Sequence, residues 1–298
     1  MNIGRRERRA LGAAVGLLAD RALGEPRVEP HPIAVLGDLL VRVEHRMWRK
    51  TRRRGVAYAL VGTSIGAGAG AALRSTAVAT YLSTSGRMLG ETAMDVARAL
   101  GRDDLDGARA LLPTLVGRDP SGLGVDEIAR AVIESVAENT VDAVVAPALW
   151  GAFAGAPGAL GHRALNTLDS LVGHRSDRYE EFGWASARAD DVAAWIPARA
   201  TALLVAAARP ARATDVWRIV RRDASAHPSP NGGVAEAAYA AALDLRLGGT
   251  NRYSERVEDR GELGDGKPPS PADIERAVRL LRDVTLVLAG VLGAFGCR

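Results

Sequence analysis

Two stretches of this chain carry no charge at all. Gly55 to Leu73 run for 19 residues without Asp, Glu, Lys or Arg, and Ala143 to His162 run for another 20. Charged residues make up 25% of the whole, so charge is segregated rather than scattered. A helix needs about 20 largely apolar residues to cross the hydrocarbon core of a bilayer, and both runs have that length. Their Gly and Ala content suits close helix contact inside lipid. Other apolar segments, Ala10 to Ala19, Ser75 to Gly86, Ala200 to Ala208 and Val284 to Cys297, are short for spans on their own. A soluble, alanine-rich helical protein is the competing reading of the same hydropathy.

The basic residues add direction. Arg5, Arg6, Arg8 and Arg9 precede the first apolar segment, and Arg42, Arg46, Arg49, Lys50, Arg52, Arg53 and Arg54 precede the second. Both clusters read as cytoplasmic by the positive-inside bias, so the stretch from Ala10 to Val41 should cross twice or not at all. Ala19-Asp20-Arg21 follows the first apolar segment where a cleavage site would stand, so a removable signal peptide is not expected. A single cysteine, Cys297, excludes a disulfide framework and a Cys-based zinc site. Aromatics at 4% argue against a stacking platform for nucleic acid. The Arg cluster at 42–54 reads instead as an anchor to anionic lipid.

Nearly everything reads as helix, because Ala and Leu dominate, β-branched runs are scarce, and Gly and Pro fall between periodic stretches. The pattern predicts helices over 10–20, 33–50, 56–84, 87–101, 104–116, 125–140, 142–155, 158–173, 185–206, 211–222, 232–246 and 271–295. The stretch from Gly261 to Pro271 reads as a polar, mobile loop.

Polar residues gather in a few places. Arg130, Glu134, Glu138 and Asp142 are spaced by four and line one helix face. A solvated stripe is the plain reading; a carboxylate row facing a cavity is the functional one. The row ends where the second uncharged run begins, and charge at such a boundary usually has a task. Around the segment Asn166 to Tyr179, residues His162, Asn166, Asp169, Ser170 and Gly173 share a face while Leu165, Leu168 and Val172 share another. Gly173 can end that helix, leaving His174, Arg175, Asp177 and Arg178 in a loop. Guanidinium groups such as Arg175 and Arg178 grip phosphate oxygens with parallel hydrogen bonds. Adjacent Asp190 and Asp191 read either as helix N-terminal charges or as Mg²⁺ ligands beside nucleotide phosphates. Ser229-Pro230-Asn231-Gly232-Gly233 opens a helix whose amides could bind an anion.

Gly117-Arg118-Asp119, Glu134 to Asp142, Asn166 to Gly173, and Ala187 to Asp191 with Pro197-Ala198-Arg199 together resemble the CobD/CbiB family of cobalamin biosynthesis. Gly24-Glu25-Pro26, His31-Pro32, Ser229-Pro230-Asn231, Leu247-Gly248-Gly249 and Asn251-Arg252-Tyr253 follow in the same order. The likeness covers nearly the whole chain. Ala194 departs from the Asn frequent at that place in the family.

The resemblance implies an all-α, polytopic integral membrane protein, with polar motif loops and helix ends forming one pocket. It implies a single membrane-embedded domain over 1–298, multi-pass in the cell membrane, with the lipid bilayer as a partner, no nucleic acid, and room for an oligomer. The implied enzyme is adenosylcobinamide-phosphate synthase, a ligase. It forms an amide bond between adenosylcobyric acid, a corrinoid, and (R)-1-aminopropan-2-ol or its O-phosphate, with ATP and Mg²⁺. Such chemistry implies an acyl phosphate and attack by a neutral amine. Asp169, Asp190 and Asp191 are then expected to hold Mg²⁺, and Arg175, Arg178 and Arg188 the phosphates. Glu134 and Glu138 would bind or deprotonate the amine, with His174 as a proton carrier. Asn139, Asp142, Asn166 and Asn231 would orient substrate. A membrane transporter, or a non-enzymatic regulatory protein of the same fold, are the alternatives.

Overall fold

The computed structural model describes residues 4–26, 28–117, 119–174, 176–253 and 256–298. In chain order the helices are α1 (Arg5–Leu23), α2 (Pro32–Met47), α3 (Arg52–Leu73), α4 (Thr76–Ser83), α5 (Gly86–Leu100), α6 (Leu105–Leu111) and α7 (Val125–Thr140). They continue as α8 (Ala146–Ala154), α9 (Ala156–Val172), α10 (Trp184–Ala208), α11 (Ala213–Asp223) and α12 (Gly232–Leu243). Strands β1 (Leu247–Tyr253) and β2 (Arg256–Leu263) follow, then α13 (Pro271–Gly296). The chain sorts into two compact units, each discontinuous in sequence: Met1–Ser85 with Asp142–Pro197 and Leu288–Arg298, and Gly86–Val141 with Ala198–Val287.

The first unit is organised by glycine. Gly55, Gly62, Gly66 and Gly70 fall on one face of α3 and are all buried. A Cβ at Gly66 would stand 2.4 Å from the Leu160 carbonyl oxygen, and one at Gly70 would stand 2.3 Å from that of Ala156. The missing side chains therefore let α3 and α9 touch backbone to backbone, as small-residue stripes do inside lipid. Gly68 has open space around it. Beyond the stripe, Leu36, Leu40, Tyr58, Leu165, Leu168, Val172 and Phe182 form a core. Tyr58 stacks on Phe182 at 5.0 Å between ring centroids, a pairing worth about 0.5–1.5 kcal/mol beyond its buried area.

Among the described residues two helices, α3 and α10, are long and apolar enough to cross a membrane. At 22 residues, α3 is about 33 Å long, against about 30 Å of hydrocarbon. Small residues face inward on α3, while Leu60 stays 64% exposed; on α10, Ile196 stays 67% exposed. Large apolar side chains turned outward along both helices are what lipid contact requires and what water disfavours.

The structure corrects the sequence reading at four places. The predicted helix over 56–84 breaks at Arg74, whose backbone is left-handed (φ 61°), giving α3 and α4. The second uncharged run is not one span. It breaks at Gly155 (φ 74°), the conformation that glycine adopts without strain, into α8 and α9. The two basic clusters do not share a side of α3: Arg5, Arg8 and Arg9 line a cavity with Gly70 and Arg74 at its C-terminal end. Arg52, at its N-terminal end, lies over the Trp184 ring and 3.3 Å from Glu181. If α3 spans, both clusters cannot be cytoplasmic. Finally, between the helix expected to end at 246 and the loop expected from Gly261 lies an antiparallel hairpin that runs on to Leu263, with Leu247 opposite Leu263 and a register shift between Gly248 and Thr250.

In the second unit α12 is buried along its whole length. Its alanines allow α7 and α11 to pack closely, and the Tyr239 hydroxyl shares a 2.7 Å hydrogen bond with Thr140 of α7. The turn after β2 is fastened to α11: Gly264 N–H donates to Asp223 at 2.9 Å, and Arg218 and Arg222 both reach Asp265.

Candidate active site

Each unit holds a cluster of buried carboxylates among its described residues. In the second unit the gathering starts from α7, which begins with a Glu127 side chain accepting from the Gly124 N–H. In its last turn it presents Glu138. Glu236, the lone charge of the alanine-rich α12, is wholly buried and stands opposite, with His227 from the preceding turn between them. His227 Nε2 lies 3.3 Å from Glu236 Oε1 and 3.9 Å from Glu138 Oε1. Arg260 of β2 places Nη1 3.4 Å from Glu138 and 3.5 Å from Glu236. A Cβ at Gly232 would fall 2.9 Å from Glu138 Oε1, so glycine leaves the carboxylate its room.

The electrostatics follow from this crowding. Glu138 is pushed up to about 8, by burial first and the Glu236 carboxylate second, with Arg260 and His227 opposing. A third of its side-chain surface remains open to solvent. His227 is pushed below its usual range, by burial and then by the Arg260 charge, so its ring is neutral at neutral pH. Its Nδ1 lies 3.0 Å from the Ser229 nitrogen and 3.3 Å from the Ser229 carbonyl oxygen, which turns Nε2 toward the carboxylates. Ser229 Oγ in turn accepts from the Gly232 N–H at 3.0 Å, and Asn231 accepts from Arg199 at 2.8 Å. Glu138, His227 and Glu236 bring their ligand atoms within 4.8 Å of one another, close enough to hold a cation.

In the first unit Asp190 of α10 is buried and faces Asp142, Asp169 and Asp191, with the Asn166 amide beside it. Asp190 Oδ1 is buried without a hydrogen-bond partner among the described residues. Arg188 lies 3.6 Å from Asp191, and the Arg163 guanidinium interacts with Asp142. A buried acceptor among like charges fits Mg²⁺, which takes carboxylate oxygens.

The structure thus brings Asp142, Asn166, Asp169, Arg188, Asp190 and Asp191 together in one unit, and places Glu138 and Asn231 in the other. The carboxylate row spaced by four does not hold as one face: α7 ends at Thr140, and Val141–Val145 form a π-helical turn that takes Asp142 out of register. Glu134 is buried and accepts from the Gly248 N–H at 2.9 Å, which ties the hairpin to α7; Arg130 bonds the Gly248 carbonyl. Asn139 donates back to Ser135 on its own helix. Arg178 lies 2.9 Å from Glu44 and over the Trp48 ring, and His174 packs edge-on against Tyr179. Arg175 lies outside the described residues. His227, Glu236 and Arg260 were not among the sequence candidates. A single glutamate in an otherwise apolar helix was the available signal for Glu236.

The family model described as CobD/Cbib protein matches residues 13–281. This chain belongs to the CobD/CbiB family. It is 46% identical over 294 residues to "Cobalamin biosynthesis protein CobD" of Mycobacterium tuberculosis, covering 93% of this chain and 92% of that protein. It is 42% identical over 300 residues to the protein of the same name in Rhodobacter capsulatus, covering 94% of each. It is 37% identical over 308 residues to "Cobalamin biosynthesis protein CbiB" of Salmonella arizonae, covering 95% of this chain and 97% of that one. No solved structure matches. Both polar clusters fall within the span that the family model covers.

Proposed function

We propose that this chain is a cobalamin-biosynthesis enzyme of the cell membrane, multi-pass, acting on a corrinoid. The reaction proposed is amide formation between adenosylcobyric acid and (R)-1-aminopropan-2-ol or its O-phosphate. The family match over residues 13–281 carries this reading, and the two clusters supply groups suited to it.

A carboxylate does not condense with an ammonium unaided. ATP with Mg²⁺ would supply the activation of the acid. Asp169, Asp190 and Asp191 are the residues that would hold the metal, and Arg188 is placed beside them. Glu138 is the base. Its carboxylate takes a proton from the amine nitrogen, leaving a lone pair for attack. A carboxyl near 8 is matched to that task, because a base works best when its pKa lies near the working pH. His227 sets Nε2 beside both carboxylates, 3.3 Å from Glu236 and 3.9 Å from Glu138. Arg260 offsets part of the repulsion between them.

The test is ligation by the purified chain in detergent, offering each amine and omitting ATP or Mg²⁺ in turn. Product that requires both supports the reading. Conversion without ATP, or none with either amine, removes it.

A further inference from the structure

We infer that the first unit carries a binding site for an anionic phospholipid, where the N-terminus of α1 meets the C-terminal end of α3. Two adjoining cavities define it. The first, of about 470 Å³, is lined by Arg5, Arg8, Arg9 and Arg74, with the first residues of α4 and α9 at its wall. The second, of about 680 Å³, is lined chiefly by apolar side chains, among them Leu149, Phe153, Leu292 and Phe295, with Arg6 and Arg9 at its edge. No Asp or Glu lines either one among the described residues.

Arg9 belongs to both cavities and is held in place. Its Nη1 donates to the Phe153 carbonyl at 2.9 Å, and the absence of a Cβ at Gly155 gives its Nε room. Arg5, Arg8 and Arg74 form no ion pair with a described residue, so their charge is left for a ligand. Arg74 sits at φ 61°, where glycine or asparagine would rest more easily. A pocket of guanidinium groups suits phosphate oxygens, and the positive ends of α4 and α9 add to the same field. A free phosphate would leave the neighbouring groove empty. A phosphodiester with acyl chains fills both, with its headgroup among the arginines and a chain along Phe153, which is 76% exposed. This site is independent of the ligation reading and shares no residue with either polar cluster.

Native mass spectrometry of the full chain in detergent, offered equal amounts of phosphatidylglycerol and phosphatidylcholine, tests it. Phosphatidylglycerol is expected to be retained selectively. Arg8→Gln with Arg74→Gln should weaken that retention on the order of tenfold, while Arg8→Lys with Arg74→Lys should keep most of it. Phe153→Ser should loosen the lipid without changing the binding of inorganic phosphate. Equal retention of the two lipids by the wild-type chain would overturn the site. So would undiminished selectivity in the folded Gln variant. Displacement of the lipid by an equal concentration of inorganic phosphate would assign the arginines to a water-soluble phosphate instead.

Discussion

His227 Nε2 stands 3.3 Å from Glu236 Oε1, and both side chains are closed to solvent. The two are nine positions apart in the chain, and the glutamate they share as a neighbour, Glu138, is 89 positions before His227. A partly open carboxylate is therefore held beside a neutral ring and a second, buried carboxylate. Most of what is expected of the second unit follows from that arrangement.

The first expectation concerns pH. The Glu138 carboxyl is raised to about 8 from an ordinary value of 4.5. If its ionised form is the base, kcat/KM should climb about tenfold per pH unit below 8 and level above it. Stability should move the other way. A raised carboxyl contributes fully below pH 4.5, and the contribution is lost as pH rises through about 8. Glu138→Gln should remove the rise and lower the rate by about 100-fold or more. An unchanged profile in that variant would exclude Glu138 as the base.

Glu236 sets the position of that profile. Its carboxylate is the second cause of the upward shift at Glu138. Glu236→Gln should move the acid limb toward lower pH by on the order of one unit. A limb that stays in place, in a variant that melts like the wild type, would show that burial alone raises Glu138.

Asp190 is the centre of the other cluster. Asp190→Asn keeps the shape and removes a charge facing three other aspartates. The Mg²⁺ concentration needed for half-maximal rate should rise about tenfold or more. Titration of activity with Mg²⁺ measures it, and an unaltered requirement would remove the metal from these residues.

The glycine stripe makes a prediction about assembly alone. Gly66→Leu drives a side chain into the backbone of α9, while Gly68→Leu meets open space. The first should cost about 1–3 kcal/mol or more and lower the melting temperature in detergent. The second should leave it unchanged. Equal effects would mean that α3 and α9 are not in close contact.

How far the sequence carried depended on the range of the interactions. Leu165, Leu168 and Val172 sit at helical spacing, and the same three lie in the core. The uncharged run at 55–73 lies within one helix because its glycines have a close partner. The run at 143–162 has similar composition, and only the backbone at Gly155 reveals the break. Hairpin residues such as Arg256 to Leu263 are polar and lack strand alternation. Their pairing is supported from outside, by Glu134 on the Gly248 N–H. His227, Glu236 and Arg260 were hidden for a related reason: each is ordinary in its own segment, and their shared chemistry exists only once α7, α12 and β2 are packed.

The most direct measurement is product formation by the purified full chain with adenosylcobyric acid, ATP, Mg²⁺ and each amine, in the wild type and in Glu138→Gln. A corrinoid amide that forms with at least one amine in the wild type, and falls by about 100-fold or more in the variant, is the expected result. No amide with either amine, or equal yields from the two proteins, would contradict the account.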